Sequence, residues 1–303
     1  MADWGAGSYE FLAAEIEPIA SLVIDAVEPV EDLRLLDLAC GTGNATLVAA
    51  QRGARAVGLD GAARLLDVAE IRAGAAGLNI DWMEGDLHEL PFPGESFDVV
   101  TSVFGVIFAG EPGKAAGEIG RVLSHSGRFA ISAWTNVGAL SEISSIWQNA
   151  VGEKLGIEPD TSLMEVWGDP GRVTELFAEH GLAAHCDEHS FSFTGSSPDA
   201  VVDQWRDSHP LWLGTKPILG DDGYAAAVEA TASTGGAILP PVMGSAAFLM
   251  VDFTGIPYAT IITAAIVPAV LYYLVVFTAV HLKAHRLGLA PTLVEGAPTL
   301  VQV

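Results

Sequence analysis

Short apolar runs alternate with helix-period stretches along the first half of the chain. Leu33–Leu38 (LRLLDL) is a compact apolar run stopped by CGTGN, and Ala45–Gln51 follows with helical composition. Ala54–Leu59 (ARAVGL) is a second apolar run, ending at Asp60. Ala62–Ala75 then reads as a helix, with Leu65, Leu66, Ala69 and Arg72 on one face. Asn79–Met83, Phe97–Val103 and Arg128–Trp134 add three strands, and Ala115–Leu123 adds a helix. Strands alternating with helices predict an α/β fold, a parallel sheet covered on both faces. In such sheets ligands bind outside the carboxyl ends of the strands, where the strand order reverses.

The pattern changes after Thr234. Beyond it only Asp252, Lys283, Arg286 and Glu295 carry charge, so the first 234 residues hold the whole net charge of −24. Ala230–Val251 and Phe253–Val280 are uncharged runs of 22 and 28 residues. About 20 residues of helix cross a hydrocarbon core. A mean hydropathy of +0.38 beside a pI of 4.4 is therefore the sum of two unlike parts. The apolar content excludes disorder for the bulk of the chain. The acidity argues against nucleic-acid binding through a basic patch. Two cysteines, Cys40 and Cys186, make no disulfide framework, and with eight histidines they show no metal-ligand spacing. Lysine is scarce and acid abundant, which suits a salt-loving organism or simply an acidic bacterial protein. Met1–Gly7 has no basic region, and Asp3, Glu10, Glu15 and Glu17 interrupt any apolar core, so no secretory signal is expected.

The turn Asp37-Leu38-Ala39-Cys40-Gly41-Thr42-Gly43-Asn44 closes the first strand. Its small residues let a ligand approach the backbone, and amides at the helix start can bond polar ligand groups. Asp60 lies 17 residues beyond Gly43, at the end of the second strand, where a carboxylate can accept from vicinal ribose hydroxyls. Asp86 follows the third strand in Glu84-Gly85-Asp86-Leu87. Each feature alone also fits an ordinary turn; the ordered set is more specific. A Rossmann dehydrogenase would carry GxGxxG, whereas the turn here is AxGxGN.

LLDLACGTGNATL, AVGLDGAARLLDVA, EGDLHELPFPGESFDVVTSVFGVIFA and GRVLSHSGRFAISAW occur in this order. They resemble successive motifs of class I S-adenosylmethionine-dependent methyltransferases, from about Trp4 to Trp134 and on toward Tyr224. The resemblance implies a Rossmann-like, seven-stranded, mostly parallel sheet whose last strand is antiparallel. Ala183–Glu188 and His189–Phe193 would be the closing strand pair. It implies S-adenosylmethionine as cofactor, with Asp37, Ala39, Gly41 and Gly43 around the methionine moiety. Asp60 and Gly61 would meet the ribose, and Asp86 and Leu87 the adenine. Ser102–Phe104, through Ser102 and Phe104, would line the methyl-donor side. Two departures stand out: Ala39 replaces a usual Gly, and His125-Ser126-Gly127 replaces the usual Pro-Gly-Gly before the fifth strand.

Methyl transfer requires mainly that both partners be bound, aligned and shielded from water. No catalytic dyad is evident, and none is required of a nucleophilic acceptor. Trp4–Tyr9 resembles segments that fold over the cofactor; Tyr9 is placed either to cap the methyl group or simply to pack. Val137–Gly168, with Trp147 and Trp167, reads as a helical cover over a small-molecule acceptor, to which His209-Pro210-Leu211-Trp212 adds. His209, like His88, is an acceptor-side candidate or an ordinary packed residue.

Ala227–Leu289 departs from this family. Its GG-x-x-x-PPVMG run and GIPY turn resemble the large membrane subunit of TRAP-type transporters. Gly235-Gly236 and Pro240-Pro241 break a helix, and His281–Arg286 is a basic flank that favours the cytoplasmic side. A helical hairpin, Ala237–Val251 and Tyr258–Val280, would return both ends to one side of a membrane; a buried pair packed on the soluble part is the alternative. The expected domains are a methyltransferase at 1–226, a hydrophobic helical segment at 227–289 and a disordered tail at 290–303. The expected function is methyl transfer to a small molecule, in the cytoplasm or at the inner membrane face through 237–280. The alternatives are a transporter fragment fused to an incidental domain, and a cofactor-binding module without catalysis.

Overall fold

The computed structural model describes residues 8–159, 161–191, 193 and 198–232. The chain divides into two units, Met1–Ala232 and Ser233–Val303, and every described residue lies in the first. The expected hairpin over 237–280, the tail at 290–303 and residues 4–7 therefore lie outside the described residues.

Helix α1 (Tyr9–Asp25) leads into β1 (Arg34–Leu38), α2 (Asn44–Gln51), β2 (Arg55–Asp60), α3 (Ala63–Ala75) and β3 (Asp81–Glu84). Then come β4 (Phe97–Val103), a short turn of 3-10 helix (Val106–Phe108), α4 (Pro112–Val122) and β5 (Leu123–Ser132). The strands form one sheet in the order β3-β2-β1-β4-β5, with every neighbouring pair parallel. The order reverses between β1 and β4, so the carboxyl ends of these two strands mark the switch point.

The central strands are apolar on both faces, as a covered parallel sheet requires. Leu35 and Val99 face α1 and α2, packing with Ala20, Ile24, Ala45 and Ala49. Leu36, Leu38 and Val100 face the other way, toward Ile119 of α4 and the fully buried Phe177. Alternate side chains of one strand thus serve two separate cores. Helix α1 is an addition to the expected elements. Its signal is present in the sequence: Ala13, Ile16, Ala20 and Val23, three or four residues apart, are all buried.

Among the described residues the sheet has five strands, fewer than the seven expected. Residues 183–191 and 193 carry no strand, which corrects the expected closing pair. The physical reason lies in the segment's polarity. Leu182 and Ala184 reach the core, but His185–Ser190 is exposed and carries two histidines and two acids. No apolar face is left to hold an added strand against the sheet.

Beyond β5 the chain is helical: α5 (Ala139–Leu155), α6 (Ser162–Trp167), α7 (Pro170–Ala178), α8 (Pro198–Ser208) and α9 (Pro210–Ala232). Helix α9 is broken at Gly220, whose φ of 72° leaves the helical region. Trp147, Trp205, Trp212 and Tyr224 form a third, aromatic core among α5, α8 and α9, extending to Ala227 and Val228. Among the described residues no helix is long and apolar enough to cross a membrane.

Candidate functional site

The glycine-rich turn sits at the switch point because three residues in it take positive φ. Ala39 has φ 48°, Gly41 55° and Gly43 83°. For Ala39, whose Cβ resists this conformation, the strain is roughly 1–2 kcal/mol. The turn is held from several sides. A Cβ on Gly105, just past β4, would lie 2.4 Å from the Cβ of Ala39, so β1 and β4 leave the sheet in contact. A Cβ on Gly43 would lie 2.7 Å from the Trp82 ring, and one on Gly58 only 2.4 Å from it. Trp82 of β3 therefore lies across two glycines, and only glycine fits beneath it.

Two carboxylates face this turn. Asp37 is buried, accepting from Thr46 Oγ1 at 2.6 Å and Thr101 Oγ1 at 3.0 Å. Burial outweighs these hydrogen bonds and pushes its pKa up to about 6. Asp60 is also buried; its Oδ2 accepts from the Gly41 amide and its Oδ1 from the Ala62 amide, both at 2.8 Å. Burial raises its pKa too. Gly61 follows at the tip of the loop, where an added Cβ would meet only Gly85 O at 3.7 Å. Gly85 in turn donates to Asp60 O at 3.1 Å, tying the loop after β3 to the same corner.

Arg72 of α3 clamps the turn. Its Nη1 donates to Thr42 O (2.7 Å), Thr42 Oγ1 (3.1 Å) and Asn44 Oδ1 (2.7 Å), while Nη2 reaches Glu17 of α1. Asn44 Nδ2 donates to Ala13 O at 2.7 Å. One helix turn nearer the N-terminus of α1, Glu10 pairs with Arg64. The sequence shows Arg72 only as part of a helix face; its role depends on α3 passing beside the turn.

The remaining expected residues divide. Tyr9 lies at the turn: a Cβ on Gly41 would meet its ring at 2.9 Å. Burial, with Asp60, Cys40 and Asp37 nearby, raises its hydroxyl pKa. Tyr9, Asp37, Ala39, Cys40 and Thr42 line a cavity of about 10 Å³, the lower bound for one water. Asp86 sits in the loop after β3, and its Oδ1 accepts from both the amide and Nδ1 of His88. His88 Nε2 accepts from the Glu111 amide, so the proton is on Nδ1. Leu87 packs on the main core. Ser102 is fully buried; its Oγ donates to Leu38 O and accepts from the Val106 amide, stitching β1 to the turn after β4.

Phe104 has φ 54° and stacks face to face on Trp134, with centroids 3.9 Å apart. Trp147 and His209 flank Trp212 in the aromatic core, whereas Trp167 packs with Phe177 in the main core, apart from them. Burial lowers the His209 pKa to about 4, so the ring is neutral at physiological pH. Among the described residues no group of three His, Cys, Asp or Glu is placed to hold a metal.

In chemical terms, two buried carboxylates with raised pKa values lie beside a tight turn, and Arg64 and Arg72 of α3 are engaged by Glu10 and Glu17. That arrangement favours a cationic ligand with hydroxyl and amide donors.

The chain is similar to known proteins in two separate stretches. Residues 36–131 match the family model described as a methyltransferase domain. Residues 220–302 match that of the DctM component of tripartite ATP-independent periplasmic transporters. An uncharacterized protein of Mycobacterium tuberculosis is 32% identical over 179 residues, 58% of this chain and 64% of that protein. The chain thus spans just under two thirds of that relative. A demethylmenaquinone methyltransferase of Thermus thermophilus is 43% identical over 100 residues, 32% of this chain and 46% of that enzyme. The solved S-adenosylmethionine-dependent methyltransferase of Mesorhizobium loti is 28% identical, covering 39% of this chain and 53% of its own, with a TM-score of 0.35. The methyltransferase match thus lies wholly within the first unit of the chain.

Proposed function

We propose that the protein transfers the methyl group of S-adenosylmethionine to a small-molecule acceptor at the carboxyl ends of β1 and β4. The observation that carries this reading is the pair Asp37 and Asp60, buried around a positive-φ turn at the switch point. The bound cofactor supplies an activated methyl group on a sulfonium centre. The chain's part is to bind, orient and exclude water.

In this reading Asp60 is oriented by the Gly41 and Ala62 amides, so its remaining lone pairs accept from the ribose hydroxyls. Ionised Asp37 favours the positive methionine end, with Ala39, Gly41 and Gly43 allowing close approach. Asp86 and Leu87 serve the adenine, and Gly61 keeps the loop beside Asp60 open. Ser102 acts indirectly, by holding Leu38 and Val106 together, and Phe104 presents a ring stacked on Trp134. Tyr9 fills the space against Gly41, so a ligand of the cofactor's size enters only when Tyr9 shifts. Once aside, it is positioned to cap the methyl group.

Calorimetry of S-adenosylmethionine with the full chain tests the reading. Asp60→Ala removes the ribose acceptor and the anchor of the Gly41 amide; affinity should fall at least about tenfold, the equivalent of roughly 1.4 kcal/mol. An unchanged affinity would refute the role of Asp60, and no binding to the folded wild type would refute the function.

A second reading concerns the C-terminal match at 220–302. It supports membrane attachment through 237–280, with the methyltransferase at the cytoplasmic face, or a transporter fragment joined to the domain. Carbonate extraction of membranes from cells making the full chain tests attachment: protein released into the wash argues against it.

A further inference from the structure

Aromatic side chains from Phe104 to His209 form a connected series beside the glycine-rich turn. Phe104 precedes Gly105, whose backbone packs on Ala39 of the turn, and stacks on Trp134 at 3.9 Å. Trp134 faces Phe193 at 6.0 Å, and Phe193 meets Trp205 edge-on at 4.8 Å. Trp205 neighbours His209 at 5.3 Å. The circuit closes through the backbone: Ser8 N donates to Ser208 O at 3.2 Å, next to His209, and Tyr9 returns to Gly41. Rings thus border the carboxyl mouth of the sheet on the side away from Asp60.

Two polar atoms lie in the aromatic core that this series joins at Trp205. Trp147 Nε1 and His209 Nδ1 are buried and find no hydrogen-bond partner among the described residues. Both rings flank Trp212, at 4.7 and 5.7 Å. Trp147 is 6% exposed, so its indole N–H is a costly orphan. An N–H donor and a neutral imidazole nitrogen together match a hydroxyl, which both accepts and donates. Among the described residues the rings of this wall have no cationic contact. Arg64 and Arg72, both on α3, are paired with Glu10 and Glu17. A carboxylate or phosphate on the acceptor would meet Asp37 and Asp60 with nothing to neutralise it.

We infer that the methyl acceptor is an uncharged, flat aromatic hydroxyl compound that stacks on the Phe104–Trp134–Phe193 wall. This inference rests on the methyltransferase reading and adds the acceptor class. In the transfer, a lone pair on the acceptor oxygen forms the new bond to the methyl carbon. The carbon–sulfur bond breaks with its electron pair remaining on sulfur, and the hydroxyl proton passes to water.

The test uses the full chain saturated with S-adenosylhomocysteine and titrated with 2-naphthol as the aromatic hydroxyl probe. 2-Naphthol should bind at least tenfold more tightly than cyclohexanol, which keeps the hydroxyl without the ring, and than 2-naphthoate, which adds a carboxylate. Trp134→Leu should weaken 2-naphthol by about threefold to tenfold, the range of one aromatic pair, with Phe193→Leu as a second variant should the first not fold. Equal binding of 2-naphthol and cyclohexanol, preference for 2-naphthoate, or affinity unchanged in a folded variant overturns the inference. S-adenosylmethionine is titrated separately: if it binds while 2-naphthol does not, the acceptor class falls and the methyltransferase reading stands. If it does not bind, both fall.

Discussion

Asp37→Asn isolates the energetic cost of the buried carboxylate at the turn. Asp37 carries a folded pKa of about 6 against an ordinary 3.8, with burial as the leading cause. Because the folded value is raised, the group's contribution to stability is fully present below the unfolded pKa and is lost as pH rises through the folded one. The full span of about two pH units corresponds to about 3 kcal/mol. The protein's pI of 4.4 makes the lower part of that window impractical. Between about pH 5 and about pH 7.5 the linkage relation leaves about one unit, or about 1.4 kcal/mol. Asn keeps the shape and an acceptor for Thr46 and Thr101 but does not titrate. Urea unfolding of both proteins across this window should show the variant gaining about 1.4 kcal/mol on the wild type as pH rises. Subtracting the two curves removes the other carboxylates, apart from Asp60, whose coupling to Asp37 acts in the same direction. A flat difference, or a wild type that gains on the variant, would refute the assignment of a strained, buried charge. Saturating S-adenosylmethionine should shrink the gap, because a cation beside Asp37 favours its ionised form.

Two other substitutions probe the frame around the site. Gly58→Ala places a methyl 2.4 Å from the Trp82 ring and should lower stability by about 1–3 kcal/mol in urea unfolding. Adding Trp82→Leu should recover part of that loss, and failure to recover any would show that Trp82 is not the obstacle. Arg72→Ala leaves Thr42 O and Asn44 Oδ1 without their shared donor and should weaken S-adenosylmethionine binding about tenfold by calorimetry. Arg72→Lys should restore only part of it, since an ammonium lacks the planar fork; full retention by the alanine variant would remove Arg72 from the site.

The first five strands were legible because their signal is local. LRLLDL, ARAVGL and FDVVTSV are short apolar runs bounded by turns, and a parallel sheet buries them on both faces. Asp37, Ala39, Gly41, Gly43 and Asp60 were legible as a set because one turn and one strand end hold them. The closing strand pair was not, since His185–Ser190 is exposed and polar, and tertiary packing of Phe191 and Phe193 on Trp134 decides the path of the segment. Arg72, Trp82 and Trp134 escaped for a related reason. Each acts on residues distant in sequence, and helical or strand periodicity says nothing about what lies across the turn. Ser102 shows the reverse error: a polar residue at the expected position turns inward to Leu38 O rather than toward a ligand.

The net charge and the acceptor side share one cause. With 14 Lys and Arg against 38 Asp and Glu, the chain has few cations to place. Arg34, Arg52, Arg121 and Arg206 are each spent on surface carboxylates, at Asp98, at Asp25 and Glu28, at Glu118, and at Asp203 and Asp207. Such exposed pairs contribute only about 0–1 kcal/mol each. Their larger effect is on what remains: the cations beside the turn hold α1 in place, and the surrounding field is negative. That field repels anionic small molecules and draws in cations, over a range that salt shortens. A positively charged cofactor is favoured by the same electrostatics that disfavour an anionic acceptor, which leaves ring stacking as the main source of acceptor affinity. If so, raising ionic strength should weaken S-adenosylmethionine binding while leaving an uncharged aromatic probe nearly unaffected; equal salt dependence of the two would break the link between charge and selectivity.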